Sequence, residues 1–160
     1  MNNANKHITL ISIALLLLWI PVGVDKLFHF AVFKAGILRQ PFSSSLGWVL
    51  IYTLPVLELA TALCLVICRL RLISFALSSL LMLAFTGYIG IALLGGWGKL
   101  PCGCGSIVSR MSWGQHFWFN LFFLALSVLG YYLQRKTHRN TCCQATGNEG
   151  LVGQKTTYKI

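Results

Sequence analysis

Acidic side chains are nearly missing from this chain of 160 residues: Asp25, Glu58 and Glu149 are its 3 carboxylates, set against 13 Lys and Arg. Charge of either sign is sparse, at 10% of residues, while 56% are hydrophobic. A soluble domain usually carries about a quarter charged residues. There is too little charge here to coat a water-facing surface, and the bilayer becomes the expected solvent. The net charge of +10 does not call for nucleic acid, because the cations lie in loops and tails between apolar runs. Juxtamembrane placement accounts for them better. A small-x-small cleavage pattern is also lacking: Trp19-Ile-Pro-Val-Gly-Val-Asp25 closes the first apolar run, which is therefore expected to be an uncleaved span. No internal repeat is present.

What the chain does have is long apolar runs. His7 to Val24, Leu72 to Gly98 and Met111 to Gln134 carry no Asp, Glu, Lys or Arg, and Leu46 to Cys68 carries only Glu58. Each is near or above the ~20 residues with which a helix crosses the hydrocarbon core. Backbone groups in lipid must be satisfied within their own segment, so the runs are expected to be helical. The pattern predicts an all-α integral membrane four-helix bundle with spans near 7–25, 46–68, 72–95 and 115–134. These make one membrane domain over residues 1–134, followed by a polar, disordered tail over 135–160. Residues 26–42 are too charged to cross and too apolar to float free. They predict a short interfacial helix ended by Pro41, with Leu27, Phe30, Val32 and Phe33 on the interface and Lys26, Lys34 and Arg39 reaching water. Such a helix would roof the outer mouth of the bundle.

Four spans put both termini on one side of the membrane. That side holds Lys6, Arg69, Arg71, Arg135, Lys136 and Arg139; the other holds Lys26, Lys34, Arg39, Lys99 and Arg110. The balance leans toward cytoplasmic termini, in a cell membrane of the bacterial inner-membrane kind. Trp19, Trp48, Trp97, Trp113 and Trp118 fall near the ends that meet the two longer loops, and Tyr131 and Tyr132 lie at the opposite end of span 4. This is the distribution expected of headgroup-level aromatics.

The third connection reads Lys99-Leu-Pro-Cys-Gly-Cys-Gly-Ser-Ile-Val-Ser-Arg110, which places Cys102 and Cys104 one residue apart. Pro101, Gly103 and Gly105 permit a tight turn that would bring the sulfurs together. Lys99, Arg110 and His116 add positive charge or a proton acceptor nearby, which favours the thiolate. On the outer face the loop meets an oxidising compartment. A disulfide across one residue closes a small ring, and strained, accessible disulfides exchange readily. A structural zinc site takes four ligands; two thiols plus His116 or His29 fall short, so no metal is expected. A disulfide that merely fixes the turn stays open as the alternative. Cys64 and Cys68, four apart on span 2, read as small hydrophobes, and Cys142 and Cys143 as reduced thiols in the tail.

Polar residues inside the spans form a second group. Glu58 at the centre of span 2 costs on the order of 3 kcal/mol on the insertion scale, by analogy with Asp. It should face the bundle interior, where the carbonyl freed by Pro55 offers a polar neighbourhood to a protonated carboxyl. His116, Asn120 and Ser127 fall within about 40° of one another on span 4 and are expected to hydrogen-bond across the bundle.

Four stretches taken together look like the MauE/DoxX group of redox-associated membrane proteins. They are Gly23-Val-Asp-Lys-Leu-Phe28, Pro55-Val-Leu-Glu58, Pro101-Cys-Gly-Cys-Gly105 and the Trp113, His116, Asn120 opening of span 4. The resemblance runs over roughly residues 8–133 and implies a four-helix membrane protein. Methylamine-utilisation members are linked to maturation of the disulfide-rich small subunit of methylamine dehydrogenase, alongside a thioredoxin-like partner. Carried over, Cys102 and Cys104 would be the redox pair, and Asp25, Lys26, Glu58, His116 and Asn120 match surrounding family positions. The family's loop often continues Cys-Gly-Cys-Phe-Gly where this chain has Cys-Gly-Cys-Gly-Ser, which leaves room for another oxidative-folding or electron-transfer client outside the membrane.

Three functions compete. A thiol–disulfide protein would exchange through Cys102 and Cys104; quinone-coupled membrane oxidases offer an analogy in which the bundle interior holds a quinone near the loop. No second cysteine pair lies in residues 26–45 to relay electrons, which favours a partner-dependent component over a self-sufficient oxidase. A non-enzymatic scaffold or assembly factor would use the cysteines only to fix the loop. A small-solute carrier would be built around Glu58.

Overall fold

The computed structural model of the chain describes residues 3–41, 43–96 and 112–152, with side chains as far as residue 137. Among the described residues five helices are found: α1 (Asn3–Phe28), α2 (Phe30–Leu38), α3 (Ser44–Val66), α4 (Arg71–Leu93) and α5 (Trp113–Val152). No strand occurs among the described residues. By length and apolar composition α1, α3, α4 and the Trp113–Thr137 part of α5 can each cross a membrane. All four expected spans are present, their ends moved by a few residues. The protein is an all-α membrane bundle.

Packing follows a ring: α1 against α3, α3 against α4, α4 against α5, and α5 back against α1. Short connections dictate much of this order. Ile67–Leu70 is all that separates α3 from α4, and the turn is closed by Leu70 N–H donating to the Ile67 carbonyl at 2.9 Å. Ser43 caps α3, its hydroxyl accepting from the Leu46 N–H at 3.4 Å. Inside the ring sit Ile8, Leu15, Trp19, Leu65, Phe75 and Met82. Leu10, Leu17, Leu63, Val66, Leu80 and Leu83 point outward, the solvation expected where lipid tails replace water. Lipid is as apolar as leucine, so close packing and interhelical hydrogen bonds must hold the helices together. Both are present. Ser74 Oγ on α4 donates to the Thr61 carbonyl on α3 at 2.7 Å. Trp19 Nε1 on α1 donates to Ser78 Oγ at 2.9 Å, Ser78 meets Ser127 Oγ at 2.8 Å, and Ser127 donates to the Phe123 carbonyl at 2.9 Å. With that last donor fixed, Ser78 must donate to Ser127, so one directed chain joins α1, α4 and α5 through the centre.

Helix α2 lies across one end of the ring. Phe33 and Ile37, four apart and both buried, pack on Ile51 of α3. Leu27 and Val32 stay exposed. The helix stops at Leu38, with the Arg39 N–H on the Gly36 carbonyl and the Gln40 N–H on the Ile37 carbonyl, as expected where a residue preceding proline resists the helical region.

Four expectations are corrected. Lys26 does not reach water; it is buried within the bundle, because Glu58 supplies its counter-charge there. Trp19 is no headgroup aromatic: α1 runs on to Phe28, which leaves Trp19 in mid-helix and fully buried. Cys68 does not share a helical face with Cys64, since α3 ends at Val66 and Cys68 falls in the turn, where Arg71 donates to its Sγ at 3.4 Å. The backbone after Gln134 does not leave the helix at once; α5 continues to Val152, as an existing helix elongates without paying for a new nucleus.

Candidate functional site

The end of the bundle beneath α2 gathers most of the polar residues singled out above. Here α1 ends, α3 begins, α4 ends and α5 begins, and between them lies a cavity of about 240 Å³. Trp19, Phe33, Phe85, Trp113 and Phe119 set aromatic rings among the aliphatic side chains of its walls, and Lys26, Gln40, Tyr88, His116 and Asn120 supply the polar groups. Lys26 stands on the last turn of α1, and His116 and Asn120 on the first turns of α5. Only the antiparallel course of the helices brings them to one end.

Lys26 Nζ donates to Glu58 Oε1 on α3, and both side chains are almost wholly buried. The ammonium also sits over the rings of Phe33, at 5.6 Å, and Phe85, at 5.7 Å. Aromatic faces attract a desolvated cation, so α2 and α4 close over a charge that α3 neutralises. Glu58 therefore stands as the partner of Lys26 in the bundle interior. Its second oxygen, Oε2, has no hydrogen-bond partner among the described residues.

Asn120, one turn beyond His116 on α5, is 4% exposed, and its Nδ2 has no hydrogen-bond partner among the described residues. His116 is half-buried in the same wall. Of the expected stripe on span 4, Ser127 does bond across the bundle, to Ser78, whereas His116 and Asn120 line the cavity. Asp25 Oδ1 meets His29 Nδ1 at 2.9 Å at the start of α2.

Sequence reasoning missed Tyr88 and Gln40, whose hydroxyl and amide oxygen bond to each other and tie α4 to the residues just after α2. It also missed the Trp19–Ser78 bond. A tyrosine in mid-span was a signal, since a buried phenol needs a partner. Cys102 and Cys104 lie outside the described residues, as do Lys99 and Arg110. Among the described residues no group of three or more His, Cys, Asp or Glu could hold a metal ion, and Cys64 and Cys68 are free thiols.

The arrangement can bind. It offers a mostly apolar chamber at one end of the bundle, a paired cation in its wall and an unused amide donor. The family model described as Methylamine utilisation protein MauE matches residues 4–133 of the chain, which covers α2, α3, α4, nearly all of α1, the first half of α5 and the cysteine segment. No curated protein and no solved structure matches the chain.

Proposed function

The chain belongs to the methylamine utilisation protein MauE family, and from that premise we propose that it takes part in thiol–disulfide chemistry that matures an extracytoplasmic client. The observation that supports this reading best is one of place. The described residues that flank the segment bearing Cys102 and Cys104, Gly96 and Ser112, stand at the same end of the bundle as the cavity and its polar groups. Termini in the cytoplasm and the Cys-Gly-Cys loop outside put that end in an oxidising compartment.

In the proposed cycle a client thiolate attacks one sulfur of a Cys102–Cys104 disulfide, forming a mixed disulfide and releasing the other sulfur as a thiolate. A second client thiolate then attacks the mixed disulfide and displaces the remaining cysteine. The client loses two electrons and two protons and gains a disulfide; Cys102 and Cys104 gain both and become a dithiol. The disulfide of a thioredoxin-like partner, itself reduced to a dithiol, restores the pair by the same exchange in reverse order. His116, one turn into α5, accepts the proton of an attacking thiol. The Lys26–Glu58 pair ties α1 to α3 beside the loop.

Replacing Cys104 by Ser leaves Cys102 able to form a mixed disulfide but not to close it. The expected result is a covalent adduct on non-reducing gels that disappears with reductant and is absent from the Cys102→Ser, Cys104→Ser double variant, together with loss of client maturation. Maturation retained by the double variant would instead make the protein a scaffold in which the cysteines only shape the loop.

A further inference from the structure

The cavity is too large for a single water and too small for most ligands of drug size. An apolar protein cavity of roughly 150 Å³ stays dry and takes up benzene, and typical ligand pockets begin near 300 Å³. At about 240 Å³ the space beneath α2 accommodates one substituted ring. The aromatic rings among its walls suit a flat face.

The polar groups narrow the chemistry further. Asn120 is buried and lines the cavity, with Nδ2 unpaired among the described residues. Buried amide donors are rarely left without a partner, and the acceptor this one needs would come from a ligand. Lys26 in the same wall is already matched by Glu58. A charged ligand would therefore lose its hydration without meeting a free counter-charge, and a neutral molecule is favoured. Access points the same way. Ala84 of α4 lines the cavity and is itself exposed, so the cavity opens beside a helix apolar enough to cross a membrane.

We infer that the cavity binds a neutral, lipid-soluble, single-ring carbonyl compound, with the chemistry of a benzoquinone head group, and that Asn120 Nδ2 donates to one of its carbonyl oxygens. This inference rests on the cavity and its donor, and it stands or falls separately from the cysteine chemistry.

Trp19 and Trp113 in the wall provide the readout. The full chain in lipid nanodiscs is titrated with 2,3-dimethoxy-5-methyl-1,4-benzoquinone, which has no tail, while tryptophan fluorescence is followed. The wild type should show a saturable quenching component above the linear part due to partition into lipid. Asn120→Leu should weaken that component about three- to tenfold, the worth of one hydrogen bond. Ala84→Phe, at an exposed position that tolerates a larger side chain, should abolish it by filling the mouth, and decides the matter should Asn120→Leu not fold. The Cys102→Ser, Cys104→Ser variant should bind as the wild type does, which separates this site from thiol exchange. Quenching that is only linear, or a saturable component unchanged by both cavity variants, overturns the inference.

Discussion

Lys26 and Glu58 are each expensive alone in a bundle interior and tolerable together. Glu58 is 0% exposed and Lys26 4%, so neither can turn to water when its partner is removed. Breaking a buried pair by deleting one side strands the other charge, at a cost of about 3–5 kcal/mol. Replacing both with apolar groups of similar volume is often neutral, because both desolvation penalties vanish with the attraction. Glu58→Leu or Lys26→Met alone should therefore lower stability by about that amount, and the double variant should recover most of the loss. Thermal or denaturant unfolding in detergent, read as a double-mutant cycle, checks this; single effects that simply add would mean that the two groups do not depend on each other. Glu58 was legible in the sequence as a costly interior residue. Its partner was not, because a lysine just beyond an uncharged run reads as a loop cation until the fold shows a carboxylate opposite it.

Among the helices, close approach is set where a side chain is missing. Gly130 of α5 faces Phe75 of α4, and a Cβ at that position would fall 2.5 Å from one ring carbon and 2.8 and 2.9 Å from two others. Phe75 is fully buried and cannot swing aside, so the helices must separate. Gly130→Ala should destabilise the bundle by about 1–3 kcal/mol, the range for overpacking a filled core. Gly87→Ala on α4, where an added Cβ meets nothing within 4 Å, should cost nothing measurable, and thermal unfolding of the two variants side by side tests the contrast. The spans themselves were legible because lipid demands long uncharged runs and supplies no other solution for the backbone. Helix ends were less so. A hydropathy run stops at the first charge, whereas α1 passes through Asp25 and Lys26 to Phe28, since those charges find partners in His29 and Glu58. The same extension carried Trp19 from the expected interface into the core. The cavity was not legible at all, because its wall is assembled from five helices.

At the scale of the whole molecule the burial of Lys26 changes the charge balance on which orientation depends. With that cation neutralised inside the bundle, Lys34, Arg39, Lys99 and Arg110 remain near the membrane on the cysteine-loop side, while Lys6, Arg69, Arg71, Arg135, Lys136 and Arg139 stay on the other. Cytoplasmic loops carry the excess of Lys and Arg, so the pairing strengthens the proposal that the termini and the α3–α4 turn face the cytoplasm. The chain carries its own reporters for this. Cys68 is exposed in that turn, and Cys102 and Cys104 lie in the connection at the opposite end. A membrane-impermeant maleimide applied to intact cells after mild reductant should label Cys102 and Cys104, and should label Cys68 only once the membrane is permeabilised; variants retaining one cysteine set at a time assign the signal. The reverse pattern would put the loop in a reducing compartment, where a disulfide would not persist, and would remove the basis for disulfide exchange with an outside client.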